Sequence, residues 1–334
     1  MTDKLLSICI PTYNRSECLR ECLDSVLISI GGHERDIEIV ISDNASPDNT
    51  RDIVRAFQET HPWIRYHRNE QNIGGERNFR QVATLAQGEN IWIFSDDDKM
   101  EANAVVRVLD NIRAGYGLTI CNYSTWDKQF TVQLKKRGLF GDQDQSFEDM
   151  NELMKRFGLH LGYISSVVVK KALFLKLPNT EYEPFIEYGF PYVYSIYAGM
   201  AHEECRAMFI AAPIVRNRSG NSGNYDWYKY FVAGSSLIFN ALLLKGYSSS
   251  AVRSAKHQVL RDCVIPRMFN TRLPGNSEEN KKIKKLLFQY YKNNWLFWVV
   301  CVPLFFTPDF SLRYLKRIAV MTHALLIRMD AKKK

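Results

Sequence analysis

Three times in the first hundred residues a short apolar run gives way to a polar loop and then to an amphipathic helical pattern. No other feature of the chain constrains its fold as much. Residues 5–10 form the first run, closed by Pro11 and followed by Thr12-Tyr13-Asn14-Arg15-Ser16. A helix is predicted over 17–30, because Leu19, Cys22, Leu23, Val26, Leu27 and Ile30 recur at three- and four-residue spacings. Ser16 suits its N-cap and Gly31-Gly32 its end. The second unit has a strand at 37–42, a loop of turn formers at 43–49 and a helix at 50–60. The third has a strand at 64–67, the turn Asn72-Ile73-Gly74-Gly75 and a helix at 76–86, which leads to a fourth apolar run at 91–95. Such alternation predicts an α/β fold, a doubly wound and mostly parallel sheet flanked by helices, with right-handed crossovers. It is not the dinucleotide-binding variant, since PTYNRS after the first strand contains no G-x-G-x-x-G, and no phosphate loop ending in Gly-Lys-Ser/Thr occurs.

The fourth run enters Asp96, Asp97 and Asp98 directly. Adjacent carboxylates repel, so a cation or water must hold them together. Ligands of open α/β sheets sit beyond the carboxyl ends of the strands, where a hard divalent cation carrying a diphosphate would balance this charge. The competing reading is a solvated acidic turn, with Asp98 as N-cap and Glu101 at the third position of the next helix. Asp43, at another strand end, either accepts hydrogen bonds from a nucleoside or bonds its own loop.

Charge divides the chain unevenly. Residues 281–334 hold twelve Lys and Arg against two Asp, a balance of +10 in a chain of net +8, so residues 1–280 carry −2. This basic end lacks the interleaved stacking aromatics of a nucleic-acid surface, and no nucleic-acid partner is expected. The seven scattered cysteines form no zinc set and read as free core thiols. The amino terminus shows no signal peptide, so a cytoplasmic location is expected.

SICIPTYNR, IVISDNASPDNT and NIGGERNFRQVATLAQGENIWIFSDDD, in this order over about residues 5–125, resemble family 2 glycosyltransferases of the GT-A fold. Within that family the likeness is to abequosyltransferase-like enzymes of bacterial O-antigen and surface-polysaccharide assembly. The resemblance implies that Pro11, Thr12 and Tyr13 line a nucleoside pocket, with Arg15 in the same loop. It places Asp43 and Arg77 at the base, and the aspartate cluster as the D-x-D element that binds the ribose and, through Mg²⁺ or Mn²⁺, the diphosphate of a sugar donor. Many members have Leu-Asp-x-Asp-Asp where this chain has Phe94-Ser95-Asp96-Asp97-Asp98, which leaves the register open. The favoured assignment is Asp96 on the ribose and Asp98 on the metal, with Asp97 as the competing ligand.

An inverting transfer needs a general base for the acceptor hydroxyl. The resemblance places it at the aspartate of a Glu-Asp pair, and here those positions are Glu187 and Tyr188. Glu187 is the candidate base, with Glu183 and Glu181 as substitutes. Strands are read at 118–123 and 163–170, an edge strand at 205–215, and at 216–223 a loop whose Arg216 or Arg218 would neutralise the diphosphate. From there the chain reads as helices at 228–245, 249–269 and 278–293, giving a catalytic region 1–224 and a helical region 225–334. Twelve uncharged residues at 295–306 are too few to span a bilayer. Beside a basic amphipathic helix at 312–329 they suit an in-plane anchor on the inner leaflet, or else both pack on the protein. The expected function is metal-dependent transfer of a sugar to a polyprenyl-linked glycan. The alternatives are a sugar nucleotidyltransferase or a non-catalytic nucleotide-sugar-binding protein.

Overall fold

The computed structural model describes residues 4–201, 203–220, 226–270 and 278–306. The three predicted units are present as β1 (Leu6–Thr12), α1 (Ser16–Ile30), β2 (Ile37–Asp43), α2 (Thr50–Thr60), β3 (Arg65–Arg68), α3 (Gly75–Leu85) and β4 (Asn90–Ile93). The chain continues through β5 (Lys99–Met100), α4 (Ala104–Arg113), β6 (Leu118–Trp126), β7 (Gln133–Lys135), β8 (Gln145–Phe147), α5 (Met150–Phe157) and β9 (Val167–Lys170). It then forms α6 (Lys171–Phe174), α7 (Asn179–Ile186), α8 (Pro191–Met200) and β10 (Ala207–Arg218). The strand order is β3-β2-β1-β4-β9-β6-β10-β5, with β7 on β6 and β8 on β10. Strands β3, β2, β1 and β4 are mutually parallel, and β10 is parallel to β6. Between the two groups β9 runs antiparallel to both neighbours.

Register positions the site. Thr12 lies opposite Asp43, and Cys9 opposite Ile93, so the chain three residues beyond each member of the second pair brings Asp96 level with Thr12. Side chains alternate between the sheet faces. Ile8, Ile10, Trp92 and Phe94 pack with α1 and α4, whereas Cys9, Ile91 and Ile93 join a core that extends through α8 into the carboxyl-terminal helices. Trp92 is fully buried and its indole donates to the Ser165 carbonyl at 2.8 Å, which fixes the turn after β4 against the segment before β9.

Several expectations require correction. The strand read at 163–170 begins only at Val167; residues 158–162 and 164–166 form tight 3₁₀ turns. Lys99–Met100 is a strand and α4 begins at Ala104, so Asp98 does not cap the next helix. The strand read at 205–215 is not an edge, because β10 has β6 on one side and β5 and β8 on the other. It also runs to Arg218, so Arg216-Asn217-Arg218 is strand and not loop. These polar residues lie beside the acidic cluster, which is why an otherwise apolar strand turns polar there. Residues 221–223 lie outside the described residues.

The carboxyl-terminal helices follow the sequence pattern. A π-helical turn, Lys229–Gly234, leads into α9 (Ser235–Leu243), and α10 (Ser249–Gln258) passes through a second, Val259–Val264, into α11 (Ile265–Asn270). Then come α12 (Glu278–Tyr291), a third π-helical turn at Phe297–Cys301 and α13 (Val302–Phe306). Gly234 is required by contact: a Cβ there would stand 2.1 Å from the Tyr188 carbonyl oxygen. The basic helix read at 312–329 lies outside the described residues. No helix among them is long and apolar enough to cross a membrane.

Candidate active site

The acidic cluster is a turn held by contacts from three other segments. Asp96 Oδ2 accepts from the Thr12 hydroxyl at 2.7 Å, and its Oδ1 from Arg15 at 3.1 Å. The same Arg15 nitrogen reaches Asp97 Oδ2 at 3.1 Å, while Ser95 donates to Asp97 Oδ1 at 2.6 Å. Asp98 is the innermost, 1% exposed. Its Oδ2 accepts from Tyr163 and Ser165, both at 2.6 Å, and its Oδ1 from the Arg218 backbone at 3.0 Å and, weakly, from Asn217 at 3.4 Å. The cation that the cluster demanded is therefore Arg15 for Asp96 and Asp97, and among the described residues no side-chain cation contacts Asp98.

Burial dominates the electrostatics. It pushes Asp96 up to about 6, with Arg15 pulling down and Asp97 pushing up. It pushes Asp98 up to about 7, reinforced by Asp97 and opposed by the donors on Ser165, Tyr163 and the Arg218 backbone. Charge is withheld from water at Asp98 and only partly compensated. Arg216 and Arg218 are both engaged within the protein. Arg216 forms a two-pronged pair with Glu101 at 2.7 Å. Arg218 is buried, binding the Asp97 and Lys128 carbonyls and Glu21. Here it braces the turn.

At the carboxyl end of β1 Pro11 is buried, and Tyr13 is exposed beside it. Asp43 is fully buried, accepting from Ser46 N at 2.8 Å and the Tyr66 hydroxyl at 2.6 Å, with Arg68 at 3.4 Å. In this structure Asp43 bonds its own loop and braces it. Arg77 is half-exposed and pairs with Glu183 at 2.7 Å. The residues that join this loop to α3 escaped the sequence reading. Asn44 accepts from Asn69 and Ile73 N and donates to Asn72; Asn78, 2% exposed, is bonded to Ser42 and Asn69. Asparagines in turn-rich loops give little warning of such a network, because the partners lie up to 36 residues apart.

Backbone strain gathers at the same end of the sheet. Asn14, Ala45 and Phe190 have left-handed φ of 54°, 63° and 60°. Each costs about 1–3 kcal/mol and persists only where the surroundings enforce it, commonly at functional sites.

Glu187 ends α7 on the turn that carries Tyr188, Gly189 and Phe190. It is largely exposed and pairs with Lys229 at 2.6 Å. Of its substitutes, Glu183 is committed to Arg77 and Glu181 to Lys245 at 2.7 Å.

Among the described residues no three His, Cys, Asp or Glu side chains form a closed metal cage. Magnesium-type ions on phosphate substrates need none, taking one or two carboxylates and completing their shell with phosphate and water. The oxygen donors of Asp98 and Asp97 fit that mode: Asp98 lacks a side-chain cation, its Oδ1 has one weak contact to exchange, and Asp97 retains 11% exposure.

Comparison with known proteins agrees with this geometry. The model of Glycosyl transferase family 2 matches residues 7–169. Abequosyltransferase RfbV of Salmonella typhimurium is 29% identical over 231 residues, covering 65% of this chain and 67% of that protein. The GalNAc(5)-diNAcBac-PP-undecaprenol beta-1,3-glucosyltransferase of Campylobacter jejuni is 27% identical over 179 residues, and the match spans 55% of its length. Residues 1–349 of S. aureus TarS superpose with a TM-score of 0.65 at 13% identity, covering 86% of this chain and 82% of that one. The mannosyltransferase PcManGT from Pyrobaculum calidifontis, solved with GDP-Man and Mn²⁺, gives 0.52 at 14% identity, covering 87% and 82%. These two structures share the fold. The chain thus carries a glycosyl transferase family 2 domain over residues 7–169 and is a glycosyltransferase of the GT-A fold.

Proposed function

We propose that the protein is a metal-dependent, inverting glycosyltransferase that moves a sugar from a nucleoside diphosphate donor to a hydroxyl of a lipid-linked glycan. Its setting would be bacterial surface-polysaccharide assembly at the cytoplasmic face of the inner membrane. The observation that carries this reading is the turn Asp96-Asp97-Asp98, braced by Thr12, Arg15, Tyr163 and Arg218 at the carboxyl ends of parallel strands within a family 2 domain. Names of relatives support the acceptor class, one being a transferase onto an undecaprenol-diphosphate glycan.

In this reading Asp96 receives the ribose, and Asp98, with Asp97 as the alternative, holds Mg²⁺ or Mn²⁺. The bound ion would supply electrostatic stabilisation of the departing diphosphate. Arg15 keeps two of the three carboxylates together, so the turn is set before substrate arrives. Pro11, Thr12 and Tyr13 line the nucleoside side, with Asp43 bracing the loop and Arg77 released from Glu183 to face the base. Glu187 takes the acceptor proton once Lys229 yields.

Support for membrane contact comes from the carboxyl-terminal helices. Phe288, Trp295, Trp298, Val299 and Phe306 are exposed, Phe288 and Trp298 lie 6.0 Å apart, and Lys284 sits 5.5 Å from the Phe305 ring. Aromatic side chains ringed by lysine suit an anionic lipid interface.

The decisive test is a thermal-shift panel of UDP, GDP, CDP and dTDP with and without Mn²⁺. One of them is expected to raise the melting temperature only with the ion, and Asp98→Asn is expected to abolish the rise. Stabilisation by none of them would refute the reading.

A further inference from the structure

A cavity of about 510 Å³ lies among α9, α10 and the end of α12, outside the family domain, which ends at 169. Its volume falls within the range of small-ligand sites, about 300–1,000 Å³. Three basic side chains line it, Arg253, Lys256 and His257, all on the second half of α10. No carboxylate lines it.

These cations have no counter-ion among the described residues. Arg253 is exposed and makes neither an ion pair nor a hydrogen bond there. Lys256 reaches only the Asn240 amide oxygen, at 3.4 Å. Burial holds its ammonium below the usual lysine value, and no carboxylate opposes the effect. The Asn294 amide oxygen accepts from Leu296 N at 3.1 Å, so His257 Nδ1, 3.2 Å from the same oxygen, is its second donor. Residues 307–334, outside the described residues, carry seven Lys and Arg against two Asp and bring no net negative charge. An unpaired, half-buried cation is unfavourable, and groups so displaced inside a cleft gather at functional sites.

The rim indicates what carries the missing anion. Leu243 and Trp295 line the cavity yet are 40% and 64% exposed, and Leu244 beside them is 89% exposed. Trp298, three residues on, meets the exposed Phe288 edge to face at 6.0 Å. Cations recessed behind large exposed apolar side chains suit a phosphate whose ester carries hydrocarbon, since a soluble anion gains nothing from such a rim.

We infer that this cavity binds the phosphate of an anionic phospholipid, paired with Arg253 and Lys256 while the acyl chains cross Leu243, Leu244 and Trp295. The inference rests on the membrane-facing part of the reading above and gives it a defined headgroup site in the helical region.

The test is titration calorimetry of the full chain with dihexanoyl phosphatidylglycerol below its critical micelle concentration, which presents single lipids and no charged surface. Saturable binding is expected. Arg253→Ala combined with Lys256→Met should weaken it at least tenfold. Lys282→Ala combined with Lys285→Ala removes the same charge from exposed positions off the lining and should change it less than twofold. Inorganic phosphate, glycerol 3-phosphate and dihexanoyl phosphatidylcholine should each bind at least tenfold more weakly than the anionic lipid. Trp295→Ala should weaken the lipid at least threefold and leave inorganic phosphate unchanged. Lys256→Met keeps the packed stem, and an undiminished melting temperature confirms folding; should the double variant not fold, Arg253→Ala carries the test. Absence of lipid binding, equal weakening by the two double variants, or phosphatidylcholine binding as tightly would overturn the assignment. So would inorganic phosphate binding as tightly, because the anion would then be a soluble one. Sedimentation with phosphatidylglycerol vesicles judges the membrane reading separately. Sedimentation without short-chain lipid binding overturns the site alone, whereas short-chain binding without sedimentation supports the site and fails the membrane reading.

Discussion

The Tyr163 hydroxyl sits 2.6 Å from Asp98 Oδ2, so one tyrosine lines a second cavity, shared with Glu76, and also steadies the innermost carboxylate of the acidic turn. Its hydrogen bond holds the Asp98 carboxyl below where burial alone would place it. Only the ionised form accepts a cation, so metal-supported nucleotide affinity should fall as pH drops through about 7. In Tyr163→Phe that midpoint should move upward, as read by titration calorimetry with Mn²⁺ between pH 6 and 9. An unchanged midpoint would remove the metal from Asp98.

Arg15 stands between two carboxylates, 3.1 Å from each. Arg15→Ala leaves Asp96 and Asp97 facing each other in a buried turn, and a loss of about 1–3 kcal/mol in unfolding free energy is expected. Arg15→Lys, lacking the planar fork, should recover only part of it. Urea denaturation distinguishes the three proteins.

Asn78 joins the loop after β2 to α3 from a nearly sealed position. Asn78→Ala leaves the Ser42 hydroxyl without its acceptor and removes one of the two acceptors of the Asn69 amide, and should cost about 1–3 kcal/mol. Nucleoside diphosphate affinity should weaken with it, since the same network holds Asn44 and Asn72. Urea midpoints and thermal shifts report the two effects.

Glu76 gives a pH signature in the ligand-free protein. Burial lets its folded carboxyl keep a proton up to about 8, whereas an unfolded one releases it near the ordinary glutamate value of 4.5. Between those limits the folded state binds more protons, so stability declines as pH rises. Glu76→Gln should flatten that part of the melting-temperature profile between pH 5 and 8. Parallel profiles would mean that the carboxyl is solvated.

Membrane contact is testable on the exposed aromatics. Replacing both Phe288 and Trp298 by Ala should reduce sedimentation with anionic vesicles, and deletion of residues 311–334, with their seven Lys and Arg, should abolish its salt-sensitive part. Equal sedimentation of all three proteins would count against the anchor.

The first hundred residues were legible because period-two and period-3.6 patterns alternate cleanly, and the boundaries of α1 and α2 fall within a residue of expectation. The aspartates could be located from their position at the end of an apolar run. Their partners could not: Tyr163, Ser165 and Arg218 arrive from 65 to 120 residues away, by strand pairing that no local pattern encodes. Arg216-Asn217-Arg218 looked like loop because strand residues that serve an acidic neighbour lose their apolar alternation. Arg253 and Lys256 gave no signal, since the want of a carboxylate partner is a property of packing.

Arg218 is the last described residue of β10, and its backbone and guanidinium close the turn around Asp97 and Asp98. A ribosome that has released only the segment up to 169 has exposed the whole family domain, but not the strap that closes its acidic turn. The cation affinity proposed for the turn should therefore emerge late in synthesis, after β10 docks. A fragment cut at the family boundary is a poor stand-in for the working enzyme.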